Sequence, residues 1–223
     1  RAHKYEQAIP VFSALLESVP KEELPYYHYY RGYSRYKIGR MEAAAQDMRK
    51  VQELSSSDEW YTWMIGNSYL VLSQIAEQEG DFPKSREYLL SAIQSNSGQS
   101  TLYTNLALLE LKMENPEAAL IAAKEAVQLK DDNAAAWNNY GLVLLKLGKL
   151  RKARKVVDKS LWLNPTNPYA YRNRALIFIA EGDQESACAD LAKCLETNVA
   201  STTRQTLLLD AQEINALIAE HCR

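Results

Sequence analysis

The chain has 223 residues, 47% of them apolar, with only eight Gly and seven Pro. Lys and Arg number 26 against 28 Asp and Glu, a formal net charge of −2 that argues against a nucleic-acid partner. The Ala-, Leu-, Glu- and Lys-rich composition favours helix from end to end.

In chain order, the first predicted helix lies within residues 4–20, where Tyr5, Ala8, Phe12 and Leu15 recur at helical spacing ahead of Pro20. Pro10 falls inside it and is expected to kink or shorten it, because proline lacks the N–H that a helix interior uses. A helix pair over 25–58 follows, marked by Gly32, Gly39, Ala44, Met48 and Val51. Its first helix carries Tyr26, Tyr29, Tyr33 and Tyr36 at i, i+3, i+7 and i+10, on one helical face. Residues 59–65 include Trp60 and Trp63 but no turn former, so they lengthen the next helix by two turns. Ser56-x-x-Glu59 supplies the capping box that starts it.

Four blocks then run without a gap: 66–99, 100–133, 134–167 and 168–201. Large rings recur at Tyr69, Tyr103, Trp137 and Tyr171, and small residues at Ser73, Ala107, Gly141 and Ala175. The rings fill gaps between helices, and the small residues sit where paired helices approach closely. Gly148 and Gly182 suit the left-handed turn that ends a first helix. Pro165 ends a second helix, and Pro168 opens the next. Residues 203–222 leave the pattern, yet Leu207, Leu208, Ile214, Leu217 and Ile218 keep them amphipathic, as a helix covering the end of a stack must be.

A fixed period of 34 residues is the signature of a repeat architecture. Trp137-x2-Tyr140-Gly141-x2-Leu144, then Gly148, Ala153-x3-Val157, Ser160 and Pro165, resembles the tetratricopeptide repeat. The resemblance implies an all-α fold: a right-handed superhelical solenoid of antiparallel helix pairs with a C-terminal capping helix. It implies one array over 1–223, with 4–20 as the second half of a truncated repeat. It also implies that positions 2, 5, 6, 9 and 12 of each unit line a concave, polypeptide-binding groove.

Position 6 is then Asn105, Asn139 and Asn173 in consecutive units. A carboxamide offers one acceptor and two donors, enough to pair with both polar groups of a peptide backbone. The row resembles the asparagine ladder in the repeats of O-linked N-acetylglucosamine transferases. Leu108, Leu142 and Leu176 at position 9, with Leu111, Leu145 and Ile179 at position 12, add an aliphatic stripe. The competing role for that stripe is packing against the second helices. Tyr26, Tyr29, Tyr33 and Tyr36 also take groove positions, where tyrosine suits an interface; the alternative is that they cover the N-terminal helix. Arg172 is the only groove cation nearby. Family members that clamp a chaperone's terminal carboxylate need basic residues where this chain has Thr104, Tyr169 and Asn173, which argues against that ligand.

No phosphate-binding glycine loop occurs, and His3, His28 and His221 form no metal-ligand pair or nucleophile–base arrangement. Catalytic residues, cofactors and metals are therefore not expected. Cys188, Cys194 and Cys222 are an odd set without metal spacing, expected to be small buried thiols, which favours a reducing, cytoplasmic compartment. The longest uncharged run, 88–109, lacks an apolar side chain across 94–101, so no membrane span is expected. The start at Arg1 points to a fragment or processed form. Residues 146–159 hold seven basic side chains, expected on a solvent face. The expected function is a scaffold for an extended, partly apolar segment of a partner protein, or of another part of the same full-length chain. Self-assembly into a homo-oligomer is one alternative, and the substrate-recruiting arm of a larger enzyme is another.

Overall fold

Turn residues at fixed spacing cut a helix-favouring chain into short rods, and the rods pair because each has one apolar side. The computed structural model describes residues 2–54, 59–96, 98–202 and 211–222. Its α-helices are α1 (Ala2–Leu15), α2 (Leu24–Lys37), α3 (Met41–Leu54), α4 (Glu59–Gln78), α5 (Phe82–Ser95) and α6 (Ser100–Lys112). They continue as α7 (Pro116–Leu129), α8 (Ala134–Lys146), α9 (Leu150–Leu163), α10 (Pro168–Glu181), α11 (Gln184–Thr202) and α12 (Ala211–His221). Among the described residues there is no strand, so the all-α expectation holds. The chain forms two compact units, 1–102 and 103–223.

The turns share one construction. Gly39, Gly80, Gly148 and Gly182 have φ of 82°, 81°, 68° and 83°. In each case the next residue donates its N–H to a carbonyl five residues back, as Lys149 does to Leu144 at 2.9 Å. This closes the preceding helix on its own last turn. Between α6 and α7 the same place is held by Glu114, at φ 59°, with Asn115 N–H donating to the Glu110 carbonyl at 2.8 Å.

In the first unit, α2 packs on α3 and α4 on α5 around Ala44, Met48, Val51, Met64, Leu72 and Ile75. The α1 helix runs through Pro10 and ends at Leu15. Ser13 Oγ donates to the Ile9 carbonyl at 2.9 Å, adding a local bond in the turn after the proline. The α4 helix has 20 residues where α2 has 14, so residues 59–65 do extend it. Ser56 of the expected capping box lies outside the described residues.

In the second unit, α8 packs on α9 and α10 on α11. A Cβ on Gly141 would lie 2.2 Å from Val157 Cγ2, so the α8–α9 approach requires glycine there. Trp137 and Tyr171, which begin equivalent helices, each reach back six residues: indole to the Asp131 carbonyl at 2.7 Å, phenol to the Pro165 carbonyl at 3.1 Å. The terminal helix α12 seats a fully buried Ile214 against Ala175, Leu191 and Cys194. Leu207 and Leu208 lie outside the described residues.

The cysteines require a correction. Cys188 of α11 and Cys222 after α12 are joined in a disulfide, with Cα atoms 5.6 Å apart; only Cys194 is a free, buried thiol. Burial pushes the Cys194 thiol up to about 11. The expectation of three free, buried thiols therefore holds for Cys194 alone.

Candidate peptide-binding face

The expected binding residues of the second unit sit on its first helices, α6, α8 and α10, and α8 contacts α10 directly. Their three amides are not equivalent. The Asn105 and Asn139 side chains are half-buried, whereas Asn173 is only 3% exposed. Asn173 Nδ2 donates to Asn138 Oδ1 at 2.9 Å, and Asn138 Nδ2 donates in turn to Asn139 Oδ1 at 3.3 Å. On its other side, Asn173 Oδ1 accepts from Arg172 Nη1 at 3.2 Å, and Arg172 Nη2 donates to Glu213 of α12. An unbroken polar chain thus runs from α8 through α10 to α12.

Such linked bonds in a partly desolvated setting hold side chains in fixed orientations. The Asn139 oxygen is engaged while its Nδ2 donors have no partner among the described residues, and Asn105 has none at either end. Asn173 acts from inside the network and does not face outward. Arg172 was expected as a groove cation; its charge is taken up by Glu213. Leu108, Leu111, Leu142, Leu145, Leu176 and Ile179 are all half-buried, and Leu145 packs on the Leu144, Ala153 and Val157 cluster.

The tyrosine face of α2 divides. Tyr29 is 7% exposed, stacked on Tyr33 and edge-on to Trp63, with ring centroids at 6.2 and 5.3 Å. Tyr29 belongs to the buried cluster of Ala44, Met48 and Leu72, and that burial pushes its hydroxyl up to about 12. Tyr33 is covered edge-on by Tyr5 of α1 at 6.1 Å, which is the N-terminal covering role. Tyr36 is half-buried beside Lys37, 5.4 Å from its ring centroid. Tyr26 is 43% exposed, and Trp63 joins it at 46% as an exposed ring of this unit.

Two ionic clamps were not anticipated. Asp47 on α3 accepts from Arg31 Nη2 and Arg35 Nη1 at 2.7 Å each, and pairs with His28 Nδ1 at 2.9 Å. Its side chain is 3% exposed. Burial alone would raise this carboxyl, but the His28 and Arg31 hydrogen bonds and the charges of Arg31 and Arg35 hold it below the usual range. Asp190 on α11 repeats the arrangement with Arg174, at 2.7 and 2.8 Å. Both arginines lie at the seventh position of a block and both aspartates 16 residues later, a spacing visible in the sequence. Among the described residues no group of three His, Cys, Asp or Glu side chains could hold a metal, and no helix is long and apolar enough to cross a membrane.

Comparison with known proteins agrees with this architecture. The sequence profile of the tetratricopeptide repeat matches residues 1–59 and 104–168. Among solved structures, MamA is 20% identical with a TM-score of 0.64, over 84% of this chain and 98% of that one. YrrB, described as a tetratricopeptide protein with an unusual peptide-binding site, is 18% identical at a TM-score of 0.64, over 83% and 91%. PilF of Pseudomonas aeruginosa is 19% identical at 0.64, over 88% and 98%. These likenesses concern the fold. No curated protein sequence matches the chain significantly.

Proposed function

The chain belongs to the tetratricopeptide repeat family, and from that premise we propose that it is a protein-interaction scaffold whose second unit grips an extended peptide along α6, α8 and α10. The carrying observation is the polar chain that fixes Asn139 while leaving its donors unused. Asn105 and Asn139 pair with the backbone of the bound segment, and Asn173 and Arg172 hold Asn139's neighbour Asn138 in place. Leu108, Leu142 and Leu176 contact apolar side chains of the segment. In the first unit, Tyr26 and Trp63 offer a second contact area with large rigid rings. The work assigned to these residues is binding and not catalysis. The peptide-binding site described for YrrB, a protein of the same fold, supports the reading.

The test uses peptides selected on the intact chain from a random display library. Hydrogen–deuterium exchange with and without such a peptide should show new protection concentrated in α6, α8 and α10. Protection confined to the second helices α7, α9 and α11 would overturn the proposal.

A further inference from the structure

The outer side of α9 is charged in a way that its sister helices are not. Arg151 and Lys155 are exposed, Lys159 is half-buried and Trp162 is 74% exposed; they fall at i, i+4, i+8 and i+11, along one side of the helix. Lys152 stands beside Arg151, also exposed. Helices α5 and α11 are preceded by Asp81 and Asp183, whose carboxylates accept the Lys84 and Ser186 N–H groups at 3.0 and 3.1 Å. The equivalent residue before α9 is Lys149, which makes no side-chain cap.

The nearby carboxylates are already engaged: Asp158 with Arg174 at 2.8 Å, and Glu181 with Arg154 at 3.1 Å. Lys149, Arg151, Lys152 and Lys155 have no ion pair among the described residues. These four line an open cleft of about 770 Å³, which Glu181 also lines. Farther along, Lys159 Nζ lies 4.3 Å from the Trp162 ring centroid and leaves most of the indole uncovered. Unpaired like charges this close repel one another, a cost that a partner's anions remove on binding.

We propose that this side of α9 docks an acidic segment of a partner protein: about five extended residues, mainly Asp and Glu, next to an apolar residue that covers Trp162. The length follows from geometry. From Arg151 to Trp162 the helix rises roughly 16 Å, and an extended chain covers about 3.3 Å per residue. Charge complementarity names the class. A long nucleic acid would leave this short strip for a chain of net charge −2, and on α9 Trp162 alone offers a bilayer a large exposed apolar side chain. The surface uses none of the residues of the α6, α8 and α10 amide row, so each reading can fail without the other.

The probe is a labelled peptide of five glutamates followed by leucine, titrated into the intact chain at low and at physiological salt. Saturable binding that weakens with salt is expected. Combined Arg151→Glu, Lys152→Glu and Lys155→Glu should weaken it by about tenfold or more. Combined Lys4→Glu, Lys124→Glu and Lys130→Glu, with the same change in net charge, should leave it intact. Trp162→Ala should weaken it a few-fold, and circular dichroism checks the fold of each variant. Equal loss in both triple variants, no binding of the peptide, or tighter binding to a single-stranded oligonucleotide or to phosphatidylserine vesicles would overturn the proposal.

Discussion

At the scale of single residues, Glu114 strains the repeat's turn and Asp47 ties its helices together. Glu114 is the one non-glycine residue at positive φ among the described residues, in a turn that elsewhere uses glycine. A side chain there costs about 1 kcal/mol in the left-handed region. Glu114→Gly should therefore stabilise the protein by about that amount, read from chemical denaturation; an unchanged or lower midpoint would contradict the account. Asp47 is the opposite case, an anion shared among His28, Arg31 and Arg35. Asp47→Asn leaves those cations without their counter-ion and should cost about 3 kcal/mol. Because the Asp47 carboxyl is held below its ordinary value, its contribution is full above about pH 4. It is lost as acid carries the pH down through the depressed folded value. Acid unfolding followed by tryptophan fluorescence should be steeper in the wild type than in Asp47→Asn, and identical profiles would sink this assignment.

At the scale of elements, the helix pairs and their turns were legible because the signals are local. Gly148 and Gly182 mark turns, the lack of a turn former over 59–65 marks a longer helix, and α4 starts at Glu59 accordingly. Contacts that depend on how helices meet were not legible. Asn138 lies one residue before the amide row, at a place taken by Thr104 and Arg172 in the neighbouring blocks, so no recurrence singled it out. Tyr29 looked like its neighbours in the sequence; Trp63, reaching over from α4, makes it core. The disulfide escaped for a related reason. Its cysteines are 34 residues apart, one full period, and in a continuing array such residues sit on successive repeats about 10 Å apart. Here α12 leaves the array and folds onto α11, bringing the Cα atoms to 5.6 Å. A loop of this length contributes roughly 3–4 kcal/mol through the unfolded state. Cys222→Ser should lower the unfolding midpoint and make the α12 amides the first to exchange with solvent. Unchanged protection across α12 would show that Ile214 packing alone holds the helix.

At the scale of the molecule, the two units present different chemistry to a partner. Residues 1–102 offer exposed rings, Tyr26 and Trp63. Residues 103–223 offer amides held by a polar chain and, on α9, a concentrated positive charge. The repeat period disclosed the family, and with it an implied binding role, from Trp137, Gly141 and Pro165 outward, whereas the division of labour among Asn105, Asn139 and Asn173 required the packing of α8 against α10. The most direct test of the central claim is calorimetric titration of one selected peptide into wild type and into Asn105→Ala/Asn139→Ala. Two backbone hydrogen bonds at about 0.5–1.5 kcal/mol each correspond to a loss of roughly five- to 150-fold in affinity. A loss in that range, with the fold intact, is the predicted result; equal affinity for the two proteins would contradict a peptide held by its backbone on this face.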